Sequence, residues 1–166
     1  MSRLSNKSVV ITLNIVQKIK YIRYVLFFIS LTHSIVYAQS GKIIISGAFD
    51  GPLPNGRPKG VELFVRETIS DLSKYALGSA NNGGGTDGPE FDDMSGSAIA
   101  GTFIYITANT SEFTTFFGFA ADYTSSTANI NGDDAIELFY DASGNFSGSE
   151  SVIDLFGDID TDGTGE

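Results

Sequence analysis

The chain reads as an all-β protein, an Ig-like β-sandwich with one short helix, preceded by an N-terminal signal peptide. Three observations predict this. Six short segments are rich in branched and aromatic residues, glycine-rich stretches connect them, and no helical period longer than three turns follows residue 40.

The first two segments are "KIIISGAF" (42–49) and "VELFV" (61–65), both bounded by Gly and Pro as strands are. Between them "DGPLPNGRPKG" reads as a loop, because it holds three of the four prolines and each proline removes a ladder donor. "DLSKYAL" (71–77) follows. After it, "GSANNGGGTDGPEFDDMSGS" (78–97) is too glycine-rich to sit inside a regular element and reads as a loop open to ordering by ligands. "GTFIYITA" (101–108) carries Phe103 and Tyr105 on one face and Ile104 and Ile106 on the other, the pattern of a central strand covered on both sides.

"SEFTTFFGFA" (111–120) predicts a helix of one or two turns, capped by Thr110 or Ser111. Its Phe113, Phe116 and Phe117, three and four apart, make one apolar face. "DDAIELFY" (133–140) and "SVIDLF" (151–156) are the last strands, joined by the turn-rich "DASGNFSGSE".

Charge divides the chain. Residues 1–38 hold five of the ten Lys and Arg (Arg3, Lys7, Lys18, Lys20, Arg23) and no Asp or Glu. Lys18, Lys20 and Arg23 precede an apolar run that closes at "SIVYAQS", with small Ala38 before the expected cleavage, so residues 1–38 read as a secretory signal with a long leader. The alternative, a membrane anchor, needs about 30 Å of apolar helix, and residues 24–37 are 14 long and include Thr32, His33 and Ser34. Cleavage leaves residues 39–166 as the domain, without a transmembrane span. It holds 5 basic and 20 acidic residues, a formal charge of −15. That part has no Cys, Trp or His; small secreted domains often use disulfides, so their lack hints at a bacterial exported protein that relies on its core or on metal.

Chemistry is constrained by the same inventory. Without His or Cys after residue 38 there is no Ser-His-Asp or Cys-His site and no histidine-zinc site, so the reading is not an enzyme. Glu62 and Glu137, each in an "ELF" segment, could serve glycoside hydrolysis only if they stood roughly 5 to 10 Å apart in a cleft. The simpler expectation is that both are solvent-facing residues of alternating strands. Asp133 and Asp134 follow Asn131-Gly132 and read as a turn. From residue 75 onward there are 16 carboxylates and no Lys or Arg, which repels phosphate and argues against nucleic-acid binding.

Asp158, Asp160, Asp162 and Gly163 match the first, third, fifth and sixth positions of a calcium loop, where alternating carboxylates converge on a hard cation and Gly permits the turn. The bidentate acid that ends such a loop falls beyond Glu166, so a solvated acidic turn is the competing reading. Asp87, Glu90, Asp92 and Asp93 form a second calcium candidate. Tyr105, Tyr123 and Tyr140 are candidates for stacking against sugars, with packing on neighbouring strands as the alternative.

"KGVELFV", "ISDLSKYAL", "GTFIYITA", "NGDDAIELFYD" and "SVIDLFGDID", in that order, resemble the segments of the lamin-tail-like domain of bacterial exported proteins, over roughly residues 42–163. The resemblance implies an Ig-like β-sandwich with Leu72, Tyr75 and Leu77 in its core. It implies a non-catalytic binding or adhesion module, secreted or at the cell surface, whose partner is an extracellular protein or polysaccharide. Relatives of this kind usually continue into an aromatic closing segment, so the domain is expected to be truncated at its C-terminus. The alternative functions are an N-terminal accessory fragment of a secreted nuclease or phosphoesterase, and a carbohydrate-binding module.

Overall fold

In the computed structural model, described here for residues 41–132 and 134–163, apolar alternation builds two sheets over a shared core. The expected signal segment, residues 1–38, and Asp133 lie outside the described residues. The first sheet has the order β1-β2-β4-β5 and the second β3-β6-β7. Strands β1 (Ile43–Leu53), β2 (Arg57–Val65) and β4 (Phe103–Thr107) are antiparallel neighbours, while the short β5 (Tyr123–Thr124) runs parallel to β4. Strands β3 (Tyr75–Ala80), β6 (Ala135–Tyr140) and β7 (Ser151–Phe156) form an antiparallel set. The helix α1 (Thr110–Phe117) packs on the first sheet through β2, away from the shared core.

The core is made by one face of each sheet. Val61, Leu63 and Val65 of β2 and Ile104 and Ile106 of β4 meet Tyr75 and Leu77 of β3 and Ile136 and Leu138 of β6. Leu72 is buried with them, in a 3-10 turn over Leu72–Lys74 rather than in a strand; the Asp71 carboxylate accepts the Ser73 N–H there and ends extended structure.

Residues 50–60 are mostly ladder, where the prolines had suggested a loop. The hairpin turns at Asn55 and Gly56, both at positive φ, and Leu53 pairs with Arg57. Pro52 lies on β1, an edge strand, where a missing N–H costs nothing in the ladder, and Pro58 lies beyond the last β2–β4 pair, Gly60–Thr107.

Gly78, Ser79 and Ala80 complete β3 opposite Glu137, Ile136 and Ala135, so the loop expected over 78–97 begins at residue 81, and it is ordered by its own apolar residues. Phe91 and Met94, with Ala98 just past the loop, are buried in the core, and bridges Leu77–Phe91 and Ile69–Ala98 tie the segment to the body.

Helix α1 starts one residue before the expected caps. Asn109 is the N-cap residue but makes no side-chain cap bond, because its Oδ1 accepts the Lys59 N–H at 3.0 Å. Gly118 in the left-handed region ends the helix. The two sheets are also joined at their edges, where the Ile45 N–H of β1 donates to Asp154 Oδ2 of β7 at 2.7 Å. Among the described residues no helix is long and apolar enough to cross a membrane.

Candidate functional site

The acidic turn after β7 is held by its own backbone. Asp158 accepts the Asp160 N–H at 3.0 Å and the Thr161 hydroxyl at 2.9 Å, and these bonds keep its carboxyl below the usual range. Residues 83–85 lie directly on this turn: Gly85 N–H donates to the Ile159 carbonyl at 2.9 Å, and a Cβ on Gly83 would stand 2.6 Å from Asp162 N. Two acidic segments that are far apart in sequence thus meet.

Their carboxylates do not converge. Asp87 accepts from the Asn81 side chain at 3.0 Å, Glu90 from Ser79 N–H at 3.1 Å, and Asp134 from Asn82 N–H at 3.1 Å, while Asp92 and Asp93 are exposed. Among the described residues no group of three acids stands close enough to hold a metal. Glu90 and Asp134 instead line a polar cavity of about 290 Å³ with Ser79, Asn81, Thr127 and Asn129.

Glu62 and Glu137 are not brought together. Each is flanked by core residues, Val61 and Leu63 for the first and Ile136 and Leu138 for the second, so they project from opposite outer faces of the two sheets. Glu62 accepts from the Ser46 hydroxyl at 2.8 Å and from Tyr105, whose phenol is pushed up by burial and then by this neighbour. Glu137 is not solvent-facing, as its alternation had suggested; it is 1% exposed. It lies opposite Gly78 and Leu155, and the loop carbonyl of Gly88 closes over Gly78 so tightly that a Cβ there would meet it at 2.3 Å. Its Oε2 has no hydrogen-bond partner among the described residues.

The three candidate tyrosines are packing residues. Tyr140 is buried against Tyr75, 5.2 Å between ring centres, and burial pushes the Tyr75 phenol up to about 12. Tyr123 rests on Phe91, and its hydroxyl donates to the Ser95 carbonyl at 2.9 Å. Tyr105 is half-buried among Phe103, Phe113 and Phe119.

The open aromatic surface is phenylalanine. On the outer side of the first sheet, Phe113 is fully buried against Phe49 and Tyr105, whereas Phe103, Phe116 and Phe119 are 47%, 50% and 44% exposed. Ring contacts run without a break from Phe103 through Tyr105 to Phe119, Phe117 and Phe116. The signal for this surface was present in "FTTFFGF", four phenylalanines in seven residues, more rings than one face of a two-turn helix can bury. At the helix side the face is bordered by the ion pair Arg57–Glu112, 2.7 Å, which holds the Glu112 carboxyl below its usual range.

Compared with known proteins, the chain matches no family model, no curated protein and no solved structure.

Proposed function

We propose that the chain is an Ig-like, lamin-tail-like β-sandwich that serves as a non-catalytic binding or adhesion module, secreted or held at the cell surface. One observation carries the reading: a well-packed two-sheet core presents a continuous, open phenylalanine face that folding alone does not require. Contiguous exposed apolar patches on soluble domains mark interaction surfaces, and their aromatic members supply most of the binding energy. The carboxylates that might do chemistry are divided between opposite faces or spent on loop hydrogen bonds.

The test is retention of the purified protein on whole cells of its source and on their isolated surface polysaccharide. The double variant Phe116→Ser, Phe119→Ser should bind about tenfold less while keeping the wild-type melting curve. Equal retention by the variant, or glycosidase or phosphodiesterase activity lost in Glu62→Gln, would overturn the reading.

A second reading concerns calcium. The packing of residues 83–85 on the Asp158–Asp162 turn favours it, since it sets the backbone of the glycine loop beside the Asp160 carboxylate, whose Oδ1 lies 4.0 Å from where a Cβ on Gly85 would stand.

A further inference from the structure

Beside Phe103 the phenylalanine face runs into a groove of about 410 Å³, a size typical of ligand sites. Its walls are mixed: Leu72, Ile99 and Phe103 are apolar, with Ile99 68% exposed at the rim, while Ser95, Ser97 and Thr102 are polar. Among the described residues Asp122 is the one charged side chain that lines it. Asp122 is fixed in place, because its Oδ2 accepts the Tyr105 N–H at 2.8 Å and its own N–H donates to the Tyr105 carbonyl at 3.0 Å. No other hydrogen bond or ion pair to its carboxylate is present among the described residues, so a carboxylate oxygen remains for a ligand.

We propose that this groove and the adjoining phenylalanine face dock a basic, apolar segment of a partner polypeptide, with a Lys or Arg of the partner on Asp122 and its apolar side chains on Ile99, Phe103 and Phe119. The proposal rests on the binding-module reading and names the partner's chemistry. Charge complementarity selects this occupant. From residue 75 onward the chain has 16 carboxylates and no Lys or Arg, and Arg57 at the edge of the face is already paired with Glu112. A second copy of this chain, an anionic lipid surface and a nucleic acid are all repelled by that field, whereas a cationic segment is attracted and steered. A neutral sugar can donate hydroxyls to Asp122, but its binding would not weaken with added NaCl, so the salt titration separates the two occupants.

The experiment is an anisotropy titration of the protein with two labelled synthetic peptides that share the same leucine positions, one carrying arginines and the other glutamates between them. The arginine peptide should bind at least about tenfold more tightly, and more weakly as NaCl is added. Asp122→Asn, which keeps the acceptor for Tyr105 N–H but removes the charge, should weaken it about tenfold, and Phe103→Ser by a similar factor, with unchanged melting curves. Asp158→Asn, equal in net charge to Asp122→Asn but in the turn after β7 and outside the groove lining, should stay within about twofold of wild type.

Equal binding of the two peptides, or equal losses in Asp122→Asn and Asp158→Asn, would overturn the proposal, the latter by reducing it to net charge. So would self-association lost in Phe103→Ser, or co-sedimentation with phosphatidylglycerol vesicles, since either makes the occupant something else. If no peptide binds but cell retention still depends on Phe116 and Phe119, the partner assignment falls and the binding-module reading stands.

Discussion

Asp141 carries much of the order in the connection from β6 to β7. Buried at the end of β6, it accepts the Ser143 N–H at 2.7 Å, the Ser143 hydroxyl at 2.5 Å, the Asn145 N–H at 3.3 Å and the Ser149 hydroxyl at 2.8 Å. These bonds, the Ser143 side chain first, bring its carboxyl down to about 2. The sign of the pH effect follows. The folded chain holds this group ionised where the unfolded chain has begun to bind a proton, so its contribution is complete above about pH 4 and is lost as pH falls from about 4 towards 2. Asp141→Ala should cost about 2 to 3 kcal/mol in urea unfolding at pH 7, and the difference from wild type should shrink across that acid window. A difference that is flat with pH would show that the carboxylate's charge is not what orders the connection. The sequence showed turn formers here but not which residue organises them, because an aspartate after a strand looks the same whether solvated or bonded. Glu137 fails in the same way: alternation assigned it correctly to the face opposite the core, but could not show that the loop at Gly88 covers that face.

Helix α1 shows how much of an element's role its spacing reveals. Phe113, Phe116 and Phe117 do share a side, yet they are not equivalent: Phe113 is locked among Phe49, Tyr105, Phe117 and Phe119, while among the described residues Phe116 touches the Phe117 ring alone. Phe113→Ala should therefore destabilise by about 3 to 5 kcal/mol, as removal of a buried ring does. Phe116→Ala, on the open side, should stay within about 0.5 kcal/mol in the same urea titration. Similar losses at both positions would mean that Phe116 is covered in solution and the open face is smaller than described. Strands were legible where runs of five or six residues rich in branched and aromatic side chains lie close to a glycine, as at Phe103–Thr107 and Ser151–Phe156. Elements that depend on a distant partner were not. Proline counts hid the hairpin at Asn55-Gly56, because whether a proline breaks a ladder depends on whether its strand is an edge. The two-residue β5 exists only through its pairing with β4 and has no local pattern of its own.

At the scale of the whole molecule the dominant legible quantity is charge. Residues 39–166 carry a formal −15, and of their five cations Arg57 and Lys59 are already engaged with Glu112 and Asp50. Such a surface repels itself, so added NaCl should raise the melting temperature simply by screening. That expectation supplies the baseline against which calcium must be judged. A site of the affinity seen in extracellular modules, about 1 mM, gains roughly 1.4 kcal/mol at about 10 mM calcium by mass action, which is roughly 4 °C for a domain of this size. Calcium chloride should therefore raise the melting temperature by about that much over NaCl of equal ionic strength, and chelator should reverse it. The double variant Asp160→Asn, Asp162→Asn should abolish the excess while keeping the NaCl response. An identical response to the two salts removes calcium from the turn. The contact of residues 83–85 with residues 159–162 then stands as packing of a glycine loop on an acidic turn, joined by the Gly85–Ile159 backbone bond.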